Sequence, residues 1–317
     1  MNATDLFSPH DARPGIPPAR VPWIPVAAFL AIAAGLGWLV CLPLWLGDGL
    51  GSPLFPVCAA VLMATPTLAA LAVTFATVPR GSRARYLGLI PFRPVGRKIA
   101  LFLFAPVALF AIAFGAMALA HLAGWSPIDP GMTALAAQLQ AIGGPDTLTF
   151  VVVQFVLAPV AIVQATVLAF GEELGWRGYL TTALAPLGFW PSAAIIGVVW
   201  GLWHAPVILL GYNFARPDAG GLALMCVFTL LVGVLLQWTR YATRSVWPAA
   251  VAHGALNTAF AYPLWWASAG ADPLWGSAVG IPGWILLAAT IVILVLTRAF
   301  RPAPDWTPRP DPRAAGA

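Results

Sequence analysis

The chain has 317 residues, of which 60% are hydrophobic and only 9% are charged, and its net charge is +5 at pH 7. A soluble domain carries about 25% charged residues, so this composition excludes an ordinary soluble protein and predicts an all-α, polytopic membrane helix bundle. The arginines cluster in short segments between apolar runs, which is typical of topology signals, and we therefore predict no nucleic-acid partner. The cysteines lie in apolar runs without C-x-x-C spacing, which indicates neither a disulfide framework nor a zinc knuckle.

Eight membrane spans are predicted from the apolar runs, and together they form a single transmembrane domain, residues 23–300. A polar, Pro-rich leader, residues 1–22, precedes this domain, and a tail rich in Pro, Ala and Arg, residues 301–317, follows it and is predicted to be disordered. A short surface helix is expected at 132–142. The predicted spans cover residues 23–46, 54–78, 99–122, 149–179, 192–210, 222–238, 247–262 and 278–296.

The charge of the connecting segments alternates along the chain. Between the second and third spans, six arginine and lysine side chains lie in the segment from Pro79 to Lys98, which is typical of a cytoplasmic segment. The segments expected on the opposite side hold a single arginine, Arg216. Eight spans with this alternation predict that both termini are cytoplasmic.

The only two glutamates of the chain, Glu172 and Glu173, are adjacent near the inner end of the fourth span. A carboxylate within a span is costly, so the pair is a functional-site hypothesis by default. On a helix, Glu173 faces Arg177 four residues later, with the acid N-terminal to the base. Glu172 lies about 100° away around the helix and has no local partner. We therefore predict a Glu173–Arg177 ion pair and a Glu172 that is free to act; a structural salt bridge without chemistry is the alternative.

Two later spans each carry a histidine with a partner four residues away. These pairs are Trp200 with His204 in the fifth span and His253 with Asn257 in the seventh, and each pair shares one helix face. Lipid offers no hydrogen-bond partners, so we expect these groups to converge with Glu172. Such a cluster supplies a base, a group that positions water and donors for an oxyanion, as amide hydrolysis requires.

Two other interpretations of the histidines stay open. A single histidine in a span is usually an interhelical hydrogen-bonding residue without chemistry. In addition, Glu172, His204 and His253 together form the three-ligand set of an open zinc site. The sequence does not decide between zinc and a metal-free mechanism.

Three short motifs, taken in chain order, resemble those of the CPBP family of intramembrane proteases. They are Glu172-Glu173-x-x-x-Arg177, Trp200-x-x-x-His204 and His253-x-x-x-Asn257. This family includes the type II CAAX prenyl endopeptidases and bacterial bacteriocin-processing and self-immunity proteins. The resemblance covers residues 149–262, and the other spans match only in hydropathy. Trp200 stands where the family usually has phenylalanine, and it keeps an aromatic wall.

The resemblance implies an integral, multi-pass endopeptidase of a bacterial inner membrane, with Glu172 as its catalytic residue. We expect Glu172 with His204 to activate water, and His253 with Asn257 to stabilise the oxyanion. Members have been classed as metalloproteases, and a metal-free glutamate mechanism is also argued for them. A non-catalytic immunity or binding protein is the alternative function, followed by a transporter.

The expected substrate is a hydrophobic, prenylated or bacteriocin-like peptide that enters from the membrane. The predicted cavity opens to the cytoplasmic side and is lined by Trp176, Trp200 and Trp203. Membrane lipid is the other expected partner, because the basic segment Arg80–Lys98 lies where it can contact anionic headgroups, although a role as a topology signal alone is the simpler interpretation. The oligomeric state is left undetermined.

Overall fold

The computed structural model describes residues 17–90 and 95–300. The predicted tail and most of the predicted leader lie outside these residues. Within them the fold is all-α, and the only β-type pairing is an isolated bridge between Ile128 and Ala267. The α-helices are α1 (Trp23–Trp45), α2 (Phe55–Thr77), α3 (Arg83–Tyr86), α4 (Val95–Leu122), α5 (Thr133–Ala141), α6 (Thr147–Glu173), α7 (Thr181–Leu184), α8 (Phe189–Trp203), α9 (Ala205–Ile208), α10 (Ala219–Thr243), α11 (Trp247–Ala261), α12 (Pro273–Gly276) and α13 (Ile281–Leu296).

Five helical stretches of the described chain are long and apolar enough to cross a membrane: α1, α2, α4, α10 and the stretch Thr147–Leu187 that begins with α6. The polytopic helix bundle is thereby confirmed, and the protein is an integral membrane protein. The other three predicted spans correspond to α8, α11 and α13, which have 15, 15 and 16 residues. A full crossing takes about 20 residues, so these three helices stop short of one.

The fifth predicted span is not one continuous helix. The apolar run predicts a helix to residue 210. Instead, α8 ends at Trp203 and α9 begins at Ala205, with Pro206 in its first turn. Proline is tolerated there because the first N–H groups of a helix have no intrahelical acceptor. His204 therefore lies at the junction between two helices rather than inside one.

The fourth span changes its helical form just after the paired glutamates. Residues Leu174–Leu180 form a π-helix, and every one of them is buried. Such segments are rare and occur often at functional sites. A side chain at Gly175 would place its Cβ 2.5 Å from the Cβ of Pro66, so only glycine permits this approach to α2. The glutamate-bearing end of α6 is thus held against the middle of α2.

Helix α11 lies in the middle of the bundle, where it packs against α6, α4 and α10. At Gly254, an added Cβ would lie 2.5 Å from the backbone nitrogen of Thr166 in α6. Small residues at helix contacts allow such close approach in membrane bundles. The close contact brings His253, the residue before Gly254, next to the paired glutamates of α6.

Candidate active site

One cavity of about 550 Å³ collects the four side chains that the sequence predicted to converge. Glu172 comes from α6, His204 follows α8, and His253 and Asn257 come from α11. Ligand pockets usually have volumes of about 300–1,000 Å³, so the cavity has room for a short extended segment. The wall is mainly aromatic and aliphatic.

Glu172 takes its hydrogen bond from a neighbouring helix. Its side chain is nearly buried, and Oε2 accepts the indole N–H of Trp200 over 2.6 Å. Indole nitrogen is a donor only, so one carboxylate oxygen is held in place by α8. We expected Trp200 to form only an aromatic wall, but it also donates a hydrogen bond to Glu172. A phenylalanine at this position has no N–H to donate.

Glu173 is fully buried and lies behind the cavity wall. Its Oε1 is 2.8 Å from Nη1 of Arg177, so the predicted ion pair is present. The same oxygen is also 2.8 Å from Nδ1 of His253. The guanidinium of Arg177 lies 4.4 Å above the centroid of the Trp200 ring, a cation–π distance. Glu173 therefore connects the π-helix to α11, a link that its helical spacing did not reveal.

Both site histidines have Nδ1 engaged by a hydrogen bond within the protein. In His204, Nδ1 lies 2.7 Å from the carbonyl oxygen of Trp200. A carbonyl oxygen only accepts, so this nitrogen bears the proton. The same holds for His253, whose Nδ1 donates to the Glu173 carboxylate. In the neutral ring each Nε2 is left as a proton acceptor.

Two aromatic side chains that we expected in the wall behave differently. Trp203 lines the cavity and donates its N–H to Thr65 over 3.2 Å. Trp176 does not line the cavity, so that prediction was wrong. Its ring is buried in edge contact with Phe29 of α1 and with Trp203, because its place in the π-helix turns it toward α1.

Residues outside the motifs complete the cavity at its mouth. Tyr212 and Asn213 follow α9, and Ser277 precedes α13. Beside them, Arg216 forms two hydrogen bonds to Asp272, of 2.6 and 3.0 Å, which tie the two loops together. The Arg216 hydrogen bonds lower the pKa of Asp272. No helical spacing marks these loop positions, so the sequence did not identify them.

Our expectation of a cytoplasmic opening is not supported by the loops that line the cavity mouth. The loops that line it, after α9 and before α13, are those assigned to the opposite side from the basic segments. No residue of the basic segment 79–90 lines the cavity.

The side chains of the site do not fit a metal centre. In the described ranges 17–90 and 95–300, no group of three His, Cys, Asp or Glu side chains is arranged to hold a metal ion. Glu172, His204 and His253 line one cavity, and the Nδ1 hydrogen bonds of the two histidines are of the kind that metal-ligating histidines also make. The three side chains are nevertheless not placed as such a group.

Residues 147–259 match the family model described as type II CAAX prenyl endopeptidase Rce1-like. The matched segment begins with α6 and ends within α11, so it contains all three motifs. It therefore also contains the cavity residues Glu172, His204, His253 and Asn257. No curated protein gave a significant match to the chain.

Proposed function

We propose that this chain, whose residues 147–259 match the Rce1-like family model, is a CAAX-type intramembrane protease of the CPBP family. In this proposal it cleaves a peptide bond of a hydrophobic, membrane-associated peptide. The observation that supports the finer proposal is the convergence of Glu172, His204, His253 and Asn257 on one apolar-walled cavity. In addition, the bacterial inner membrane is the proposed location.

Glu172 and His204 activate the water in this proposal. The Trp200 N–H holds one oxygen of Glu172, and the carboxylate takes the proton of a water placed within about 2.6–3.2 Å. Nε2 of His204 accepts the other hydrogen of that water, since Nδ1 already bears a proton. The water oxygen then attacks the peptide carbonyl. When the C–N bond of the tetrahedral intermediate breaks, Glu172 returns the proton that it took to the leaving amine nitrogen.

Asn257 and His253 serve the other side of the reacting carbonyl. Asn257 is exposed to the cavity, and its amide N–H groups donate to the oxyanion. His253 lines the cavity one helical turn before Asn257 on α11. Glu173 orients the ring of His253 through Nδ1, the part that a third residue plays in catalytic triads. Glu173 and Arg177 are therefore positioning residues, and neither touches the substrate.

The function is tested with purified protein in detergent and a set of apolar peptides, with the products read by mass spectrometry. We expect new termini at internal bonds. An absence of products from a folded, monodisperse protein contradicts the proposal. Uptake of intact peptide into liposomes identifies a transporter instead. A cellular phenotype that survives Glu172→Ala together with His204→Ala, at normal abundance, identifies a binding or immunity protein.

Trp200→Phe is expected to lower kcat about 10- to 100-fold with little change in KM. The ring is kept, but the charge-assisted hydrogen bond to Glu172 is lost, and such bonds contribute about 1.5–3 kcal/mol. Steady-state kinetics give both constants. Trp238→Phe is the matched control, because its N–H donates to the carbonyl of Ala299, far from the cavity. Equal effects of the two substitutions contradict the positioning role of Trp200.

Removal of metal is expected to leave the cleavage rate unchanged, because the part of the chain that the structure describes holds no group of three His, Cys, Asp or Glu side chains arranged to bind a metal ion. The rate is measured before and after dialysis against a strong chelator, and elemental analysis is made on the same samples. Loss of activity that zinc restores, with about one zinc per chain, contradicts this prediction and favours the metalloprotease alternative.

A further inference from the structure

The cavity lies toward one end of the bundle. It is lined by Phe55, the first residue of α2, and by the loops around Tyr212 and Ser277. Gly171, beside Glu172, is level with Met63 of α2. Met63 lies eight residues after Phe55, or about 12 Å along the helix at 1.5 Å per residue. Glu172 lies near the inner end of α6, but the cavity lining runs from it to the end of the bundle where α2 begins.

The opposite end of the bundle is closed by direct packing. Beyond the π-helix, the hydroxyl of Thr182 donates to the carbonyl of Tyr86 over 2.7 Å. Nε of Arg240 donates to the carbonyl of Arg177 over 2.9 Å, and the backbone N–H of Val246 donates to Gly88 over 3.0 Å. The Tyr86, Arg240 and Val246 side chains are buried. These contacts cover the inner side of the glutamate pair.

The two ends differ strongly in charge. Among the described residues, the end with the cavity holds one arginine, Arg216, whereas the closed end holds many basic residues. A positive excess marks the cytoplasmic side of a membrane protein. The closed end is thus cytoplasmic. Its basic residues in the described ranges are Arg20, Arg80, Arg83, Arg85, Arg97, Lys98, Arg240, Arg244 and Arg298.

Four of the five aspartates described at the open end have local roles. Asp129, Asp146, Asp218 and Asp272 each accept a backbone N–H at the start of a helix or turn. Capping of this kind explains these four without a cationic ligand. The side chain of the fifth, Asp48 in the loop after α1, makes no capping hydrogen bond.

We infer that the cavity receives its substrate from the extracytoplasmic side of the membrane. This inference rests on the proposed peptidase function and names the substrate class: an apolar peptide segment displayed at the outer leaflet after translocation. The lining holds no lysine or arginine and only one carboxylate, that of Glu172. A free C-terminal carboxylate therefore finds no counter-charge in the cavity, which favours cleavage inside an uncharged segment.

Sided membrane vesicles test this inference with the full chain. The probe is an internally quenched apolar peptide whose polar tags at both ends prevent it from crossing a bilayer. Right-side-out vesicles are expected to cleave it at least tenfold faster than inverted vesicles, and detergent is expected to abolish the difference. Faster cleavage by intact inverted vesicles overturns the inference. Absence of cleavage even in detergent contradicts the peptidase proposal instead.

The orientation itself is tested without reference to activity. Ala219→Cys lies at the open end and Gly81→Cys at the closed end, and both positions are exposed. The three native cysteines are buried or half-buried, so the unsubstituted protein serves as the unlabelled control. A membrane-impermeant maleimide added to intact cells is expected to label the first variant at least tenfold more than the second. The reverse pattern overturns the extracytoplasmic opening, whatever the peptidase assay shows.

Discussion

Glu172→Gln is expected to lower the rate of peptide cleavage about 10²–10⁴-fold, the usual cost of losing a positioned general base. Glutamine keeps the shape of the side chain and an oxygen that accepts the Trp200 N–H, which lies 2.6 Å from Glu172 Oε2. The amide cannot take a proton from water. We therefore expect kcat to fall while KM and the midpoint of thermal unfolding stay close to those of the unsubstituted protein.

The measurement is a single-turnover cleavage assay in detergent at saturating protein. Asp129→Asn is the matched control, since it makes the same carboxyl-to-amide change at an exposed capping residue away from the cavity. Its rate is expected to equal that of the unsubstituted protein. Unimpaired cleavage by pure Glu172→Gln protein would falsify the assignment of Glu172 as the base, and it would leave His204 as the remaining candidate.

Local spacing predicted the fold class and the pairs within one helix. Most apolar runs defined the helices to within a few residues, because lipid requires every spanning backbone group to be bonded within its helix. The fifth predicted span was the exception, since α8 ends at Trp203. The Glu173–Arg177 pair followed from a separation of four residues. Such predictions depend only on neighbours along the chain.

The sequence did not predict the individual hydrogen bonds between helices. Trp200 reaches Glu172 across 28 residues and His253 reaches Glu173 across 80 residues, and no periodicity specifies either contact. The closed end was also missed, because it depends on the way that Tyr86 packs on Thr182. Hydropathy indicates which residues avoid water. It does not indicate which end of the helix bundle is closed by packing between its loops and helices.

The buried ion pair is expected to matter far more for stability than the pair at the cavity mouth. Arg177 and Glu173 have no exposed side-chain surface, whereas Arg216 and Asp272 are 33% and 40% exposed. Removing one partner of a buried pair costs about 3–5 kcal/mol, because the other charge stays buried without compensation. An exposed pair contributes about 0–1 kcal/mol. The two arginines thus compare a buried ion pair with an exposed one.

Arg177→Met is therefore expected to lower the free energy of unfolding by about 3–5 kcal/mol, and the matched Arg216→Met by about 1 kcal/mol or less. Methionine keeps much of the apolar stem and removes the charge. Equilibrium unfolding in mixed micelles measures both variants. Adding Glu173→Gln to Arg177→Met removes the stranded carboxylate, so the double variant is expected to regain part of the lost stability. Equal losses in the two single variants, or a further loss in the double variant, would show that Glu173 is not held as an anion by Arg177.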